Sequence, residues 1–172
     1  MSIPQPETLT FDSDETSGYP NSPLPVLIYS KALDLSSAEE RADTFENMFK
    51  QHGWPPAWRY YLYDFDHFHS TAHEALGIFQ GQARARLGGP NGQEVMLYAG
   101  DVLVLPAGVG HACVEADDDF CMVGAYPPGQ NPENERGDPA ELSAAQARVA
   151  SVTVPETAPV GGPLQPQWKP SS

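Results

Sequence analysis

From Trp54 to Tyr126 the sequence is a succession of short apolar runs broken by turn-forming residues, and this alternation restricts the fold more than any other feature. The β-prone runs are YYLYDF, IFQGQARARL, EVMLYAG, DVLVLP, ACVEA and FCMVGAY. GGPNG, PAGVG and ADDD lie between some of them, and glycine, proline, asparagine and aspartate favour tight turns. Many short strands at this spacing predict an all-β sandwich or barrel.

Helical signals lie on both sides of this region. Ser36 and Ser37 precede glutamates by three residues, which is a capping-box pattern, and Gly53 is a natural stop. These signals predict a helix over residues 37–51. The segment ELSAAQARVAS predicts a second short helix near residues 139–151.

The remaining segments complete the expected organisation. The run PLPVLIY predicts a short strand at residues 23–29. We expect an irregular N-terminal segment at 1–20, a β-domain at 21–130 and, at 131–172, a tail that carries the short helix.

Three of the five histidines lie in the stretch HFHSTAHEALGIFQG. Residues two apart in a strand point to the same side, so His67 and His69 are expected to project together. Glu74 opens the next apolar run and can swing back toward both imidazoles, whereas His73 is expected to point away. Two imidazoles and a carboxylate on one wall suit a divalent transition metal.

A fourth histidine, His111, ends the stretch GDVLVLPAGVGH. The corner from Pro106 to Gly110 re-aims the chain after a buried strand, so that His111 can reach the same centre. Three histidines and Glu74 would leave one or two octahedral positions for water or substrate, as metal catalysis requires.

These two stretches resemble the two motifs of the cupin superfamily. The first motif has HxH, then four residues, Glu, six residues and Gly, matched by His67, His69, Glu74 and Gly81. The second is matched at four positions, which are Gly100, Pro106, Gly108 and His111. Tyr61 and Glu115 replace a glycine and an asparagine of the usual pattern, but these are turn positions and leave the ligand set intact. PNSPLPVLIY and DFCMVGAYPPGQ also resemble small bacterial cupins of the YjlB type.

The resemblance implies a double-stranded β-helix, or jelly-roll barrel, with His67, His69, Glu74 and His111 as metal ligands. It implies no particular substrate. The metal could be Fe, Mn, Ni or Zn, since affinity order alone does not choose among them. A hydrogen-bonded polar cluster without metal is the alternative interpretation.

Further residues have two interpretations each. His73, Tyr63, Phe79 and Cys113 could lie beside the ligands or in the pocket wall, and His73 is the one substitute ligand; simple packing is the alternative. Arg84 and Arg86 are expected on an exposed strand face rather than as anchors for an anionic substrate.

Composition excludes some partners and favours others. The formal net charge of −14 argues against nucleic acid and against an anionic membrane surface. The N-terminus lacks the pattern of a signal peptide, no apolar run is long enough to span a membrane, and Cys113 and Cys121 are expected to stay reduced in a cytoplasmic protein.

The function that we expect from these features is that of a mononuclear metal-dependent enzyme, of oxygenase type, acting on a small polar organic molecule. A metal-dependent isomerase and a non-catalytic ligand-binding or sensor protein are the alternatives. We also expect a homodimer, because PLPVLIY would otherwise be an exposed edge strand and the tail with Trp168 offers a second surface to bury.

Overall fold

The computed structural model describes residues 5–168, and in that part of the chain two antiparallel sheets carry the fold. The strands are β1 (Glu7–Phe11), β2 (Ser22–Tyr29), β3 (Pro56–Tyr60), β4 (Glu74–Gln80), β5 (Gln82–Leu87), β6 (Gln93–Tyr98), β7 (Val102–Leu105), β8 (His111–Ala116) and β9 (Cys121–Ala125). The helices are α1 (Ala38–Gln51) and α2 (Leu142–Ala150), the latter preceded by a 3-10 turn at Pro139–Glu141.

The larger sheet has the strand order β1-β2-β7-β4-β9-β3, and the smaller has β6-β5-β8. Alternate residues of the large sheet face two separate apolar clusters. In β4, for example, Leu76 and Ile78 face inward to the small sheet, while Ala75 and Phe79 face outward toward α1. The central strands are therefore apolar on both faces. The two antiparallel sheets confirm the predicted all-β double-stranded β-helix.

Helix α1 covers the outer face of the large sheet. Ser37 Oγ accepts a hydrogen bond from the Glu40 backbone N–H at 3.3 Å, so the predicted N-cap and the helix over 37–51 are confirmed. Phe45 and Phe49 are fully buried and stack at 5.6 Å. They close the outer cluster over β4.

The N-terminal segment is more ordered than the sequence predicts. Residues Glu7–Phe11 form β1 and pair with β2, so the expectation of an irregular segment over 1–20 is wrong for this part. Leu9 and Phe11 alternate with threonines and pack against the inner cluster. Polar residues in the segment concealed this alternation of apolar and polar side chains, which marks a strand. Residues 1–4 lie outside the described part of the chain.

The expectation that PLPVLIY would be an exposed edge strand is also wrong. β2 lies between β1 and β7 in the same sheet, so both of its edges are paired within one chain. Trp168 is fully buried as well, and its indole N–H donates to the Pro25 carbonyl at 2.7 Å. The two features from which a homodimer was expected are thus satisfied without a partner.

The C-terminal segment contributes to the same core. A helix near 139–151 is confirmed, and after it Ala158, Val160 and Leu164 join the outer cluster beside Trp168. The division into segments 1–20, 21–130 and 131–172 stays a prediction. Among residues 5–168, neither helix is long and apolar enough to cross a membrane.

Candidate metal centre

Three histidine rings from two distant segments meet in the interior. His67 and His111 exchange backbone hydrogen bonds of 3.2 and 2.9 Å, which holds their ring centroids 4.1 Å apart. One ring nitrogen from each of His67, His69 and His111 lies within 4.8 Å of the other two. All three side chains are buried, so the structure provides one compact nitrogen cluster.

The corner between β7 and β8 brings His111 to the other two histidines. Gly108 has a positive φ of 96°, a conformation that a side chain disfavours, and a Cβ there would collide with the Asn21 backbone. Its backbone N–H donates to the His69 carbonyl at 2.8 Å. The predicted re-aiming corner is therefore tied directly to one of the segments that it must approach.

Each of the three rings is oriented by a backbone carbonyl. Nδ1 lies 3.0 Å from Phe65 O in His67, 2.8 Å from Glu133 O in His69 and 2.9 Å from Val109 O in His111. A carbonyl can only accept, so in each hydrogen bond Nδ1 carries the proton. In its neutral form each ring then keeps the Nε2 lone pair, which is the donor that a metal needs.

Glu74 supplies a carboxylate at the same point. Its Oε1 atom lies 3.3 Å from His111 Nε2 and 3.6 Å from His69 Nε2, and its side chain is buried. Within the described residues, His111 Nε2 has no hydrogen-bond partner. Buried polar atoms are rarely left without a partner, and a metal ion would satisfy this one. The four side chains predicted as ligands thus fit a divalent metal.

Burial and neighbouring charges shift the pKa values of three side chains in the cluster. Burial, and then the neighbouring His111 ring, lower the pKa of His67 to about 3. Burial acts to lower the pKa of His69 as well, but the Glu74 carboxylate outweighs it and raises that pKa. Burial acts to raise the pKa of Glu74, yet the adjacent His69 and His111 rings hold it below its usual range. The carboxylate is therefore ionised at neutral pH and available to a cation.

Tyr126 and Trp58 belong to this centre, although sequence reasoning does not find them. The Tyr126 hydroxyl donates to Glu74 Oε2 at 2.8 Å and accepts from the Trp58 indole N–H at 3.0 Å. Burial and the Glu74 charge raise the pKa of Tyr126, so it keeps its proton. No local spacing relates these residues to the histidine motif; the only hint is that Tyr126 directly follows an apolar strand.

A cavity of about 620 Å³ opens above the four side chains. Its wall includes Tyr63, one of the candidate pocket residues, together with Trp58, Tyr60 and Tyr61. Tyr60 and Tyr61 are 44% and 50% exposed, which places them at the mouth of the cavity. The centre is thus reachable through an aromatic entrance.

The other three predicted pocket residues lie elsewhere. Phe79 faces α1. It lies four residues after Ala75 on β4, so both side chains point to the outer side of the sheet. Cys113 lines a neighbouring cavity of about 570 Å³; it and Cys121 are free thiols, as predicted. The third, His73, lies at a different cavity.

His73 points away from the other histidines, as expected, and is not placed beside them. Its Nδ1 accepts a hydrogen bond from the Ala107 backbone N–H at 2.8 Å, and its ring packs on Trp168 at 4.8 Å. It borders a separate cavity of about 550 Å³ next to α2. A role as substitute ligand has no support in this geometry.

Arg84 and Arg86 do not line the cavity above the cluster. Arg84 pairs with Glu94 at 3.2 Å and Glu115 at 3.0 Å, and Arg86 pairs with Asp66 at 2.7 Å. Arg84 is exposed, as expected for an exposed strand face, whereas Arg86 is half-buried; neither is placed to anchor a substrate above the cluster.

Comparison with known proteins agrees with this architecture. A family model described as "Cupin" matches residues 66–146, which include all four candidate ligands. The chain is 32% identical over 161 residues to "Uncharacterized protein YjlB" of Bacillus subtilis (strain 168), covering 93% of this chain and 94% of that protein.

Solved structures with low sequence identity are also similar. A double-stranded β-helix protein from Klebsiella pneumoniae is 17% identical, with 80% of this chain and 89% of that one covered and a TM-score of 0.35. A structure of DMSP lyases is 18% identical, with a TM-score of 0.34; 48% of this chain is covered, and the chain spans only 40% of that protein's length.

Proposed function

The chain belongs to the cupin superfamily, as a member of the YjlB type, and on that premise we propose that His67, His69, His111 and Glu74 hold one divalent transition metal. Three imidazole nitrogens and one carboxylate oxygen suit Fe, Mn, Ni or Zn. The support is the convergence of these donors and the free Nε2 lone pairs that the Nδ1 hydrogen bonds leave.

We further propose that the protein is an enzyme of oxygenase type that acts on a small polar organic molecule. When bound, the metal would supply a site that orients substrate oxygens and activates dioxygen. Other residues of the chain orient the four metal-binding side chains and line the mostly apolar cavity above them. Tyr126 holds one oxygen of Glu74, so that the other oxygen faces the imidazoles.

One observation supports this choice over a metal-dependent isomerase. Among the described residues that line the cavity, no lysine is found, and no histidine or carboxylate other than the four candidate ligands. Proton transfer to a carbon acid requires a base within hydrogen-bond reach of the substrate. Tyr126, whose hydroxyl donates to Glu74, is held in its protonated form.

Metal content tests the metal site. The protein is purified without a polyhistidine tag and without added metal, and its metal content is compared with that of His111→Ala and His52→Ala. We expect about one metal per chain in the wild type and in His52→Ala, since His52 lies at the end of α1, and none in His111→Ala. Equal content in all three would place the metal elsewhere.

Catalysis is tested separately by dioxygen uptake. The Fe(II)-loaded protein is offered small acids that carry adjacent oxygen donors, and uptake is compared with that of the His111→Ala variant. Uptake that depends on both substrate and His111 supports an oxygenase. Tight binding of an acid without uptake or conversion would instead support the alternative of a non-catalytic ligand-binding or sensor protein.

Oligomeric state and location stay predictions. We keep the homodimer as a proposal, but both features from which it was expected are satisfied within one chain, so light scattering must decide it. A cytoplasmic location is proposed from the two reduced cysteines alone.

A further inference from the structure

The cavity above the cluster has an aromatic entrance. Tyr60 and Tyr61 lie with their ring centroids 4.1 Å apart, and Tyr63 stands nearly perpendicular to Tyr61, at 89° and 6.0 Å. All three line the cavity. Two half-exposed tyrosines at one mouth form a surface that an apolar or aromatic body could cover.

The described wall of this cavity has no unpaired charge apart from the centre itself. Arg59 is the basic side chain that lines it. Its guanidinium is held by three carboxylates, which are Glu46 at 2.7 Å, Asp43 at 2.9 Å and Glu39 at 3.4 Å. Arg59 is therefore not free to neutralise a second anionic group on a ligand, and Glu74 is the one acidic lining residue.

The centre itself would carry a single positive charge. A divalent ion contributes two positive charges and Glu74 removes one, while neutral imidazoles add none. One anionic oxygen group on a ligand would balance this charge. A second anionic group would have to lie in the mostly apolar wall without a partner, which is costly.

We propose that the ligand of this site is a small acid with one metal-binding carboxylate and an uncharged aromatic body. The carboxylate lies at the centre, and the ring lies among Tyr60, Tyr61 and Tyr63. This inference rests on the proposed metal site. The volume of about 620 Å³ is within the range of sites that take small organic ligands.

The probes are 2-hydroxy acids that share the same carboxylate and hydroxyl donors. Mandelate carries a phenyl ring, and 2-cyclohexyl-2-hydroxyacetate carries a saturated ring of similar size. Two further mandelates carry a carboxylate or a trimethylammonium group at the para position. Dissociation constants are measured by calorimetry on protein loaded with Zn(II), after its metal content has been determined.

We expect mandelate to bind about tenfold more tightly than the saturated acid, from stacking on the tyrosines, and more tightly than the dianionic derivative. Equal affinity for the two uncharged acids would overturn the aromatic assignment. Stronger binding of the dianionic or the cationic derivative would overturn the inference that the wall selects an uncharged body.

A matched pair of variants tests the role of the entrance. Tyr61 and Tyr98 are 50% and 49% exposed, but Tyr98 lies on β6 outside this cavity. Tyr61→Ala should lose most of the preference for the aromatic acid, whereas Tyr98→Ala should keep it. An unchanged preference in Tyr61→Ala would overturn the placement of the ring.

Failure of this inference and failure of the proposed function give different results. If the protein takes up Zn(II) at the four ligands but does not prefer mandelate, the substrate class is wrong and the metal site stands. If the metal content is zero before any acid is added, the proposed function is wrong, and the inference is refuted with it.

Discussion

Tyr126 determines how Glu74 presents its two oxygens. The Tyr126 hydroxyl donates to Oε2, and the Trp58 indole N–H holds that hydroxyl from the other side. Oε1 is thereby left facing His111 and His69. This arrangement favours a carboxylate that offers one oxygen to a metal, with the other oxygen already bound by the protein.

We predict that Tyr126→Phe weakens metal binding without emptying the site. Losing a hydrogen bond that orients a ligand typically lowers metal affinity by about 10–100-fold. Competition with a chromogenic chelator measures the change, and Tyr98→Phe, remote from the site, serves as the control. Affinity in Tyr126→Phe equal to that of the control would show that Glu74 is oriented by other contacts.

The sequence predicts the four candidate ligands but not their supports, for a physical reason. His67, His69 and Glu74 are close along the chain, so their spacing alone places them on one wall. Trp58 and Tyr126 reach Glu74 only because β3 and β4 both pair with β9. Such partners depend on strand order, which short-range patterns do not specify.

His73 makes stability depend on pH. Burial lowers the pKa of His73 to about 4, below its value of about 6.5 in an unfolded chain. The unfolded state then binds more protons in this range, so the free energy of unfolding falls as the pH falls from about 6.5 toward about 4. His67 acts in the same direction, whereas His69, whose pKa is raised, acts against it.

We therefore predict that His73→Gln has a flatter pH dependence than the wild type. From pH 7 to pH 5 the wild type should lose about 2 kcal/mol more than this variant. Urea unfolding in the presence of a chelator, at both pH values, measures the difference. The same loss in both proteins would mean that His73 does not carry this linkage.

At the scale of elements, the close contact between α1 and β4 depends on Gly77 having no side chain. A Cβ on Gly77 would lie 2.7 Å from Phe45 Cγ, and both residues are buried. Gly77 thus lets the helix lie close to the sheet, and the helix in turn presents the carboxylates that hold Arg59.

Gly77→Ala should destabilise the fold by about 1–3 kcal/mol, the usual cost of overpacking a core. Denaturant unfolding measures it. Phe45→Leu makes room at the same point, so the double variant should be more stable than the sum of the two single losses predicts. Strict additivity would show that the clash is relieved by movement of the helix.

Local signals predict where most helices and strands lie, but not which strands pair with one another. The α1 boundaries follow from Ser37 and Gly53, which act within a few residues of the helix ends. The position of β2 between β1 and β7 follows instead from pairing with residues about 75 positions later, such as Leu27 with Val104. An apolar run alone does not say which neighbours will cover its edges.

At the scale of the whole molecule, most of the apolar packing lies away from the cluster of candidate ligands. Two large apolar clusters lie on the two faces of the six-stranded sheet, and of the inner one only Leu62, Leu76 and Met122 are among the described residues that line the cavity above the ligands. We therefore expect the metal-free protein to stay folded. Far-UV circular dichroism with and without a chelator should show the same β-sheet signal.

Metal should nevertheless raise the melting temperature, because it binds the folded state and the assembled ligands exist only there. At a hundredfold excess over the dissociation constant, mass action stabilises the fold by about 2.7 kcal/mol, or about 5–10 °C for a chain of this size.

Three variants test which side chains cause this increase. Glu74→Gln keeps the shape of the side chain but removes the anionic ligand, so its increase in melting temperature should be smaller. His111→Ala removes the imidazole whose Nε2 lacks a partner among the described residues, so its increase should vanish. His52→Ala, a histidine substitution outside the cluster, should show the wild-type increase. If His111→Ala kept the full increase in melting temperature, the metal would bind elsewhere on the chain, and the function proposed for this centre would fail.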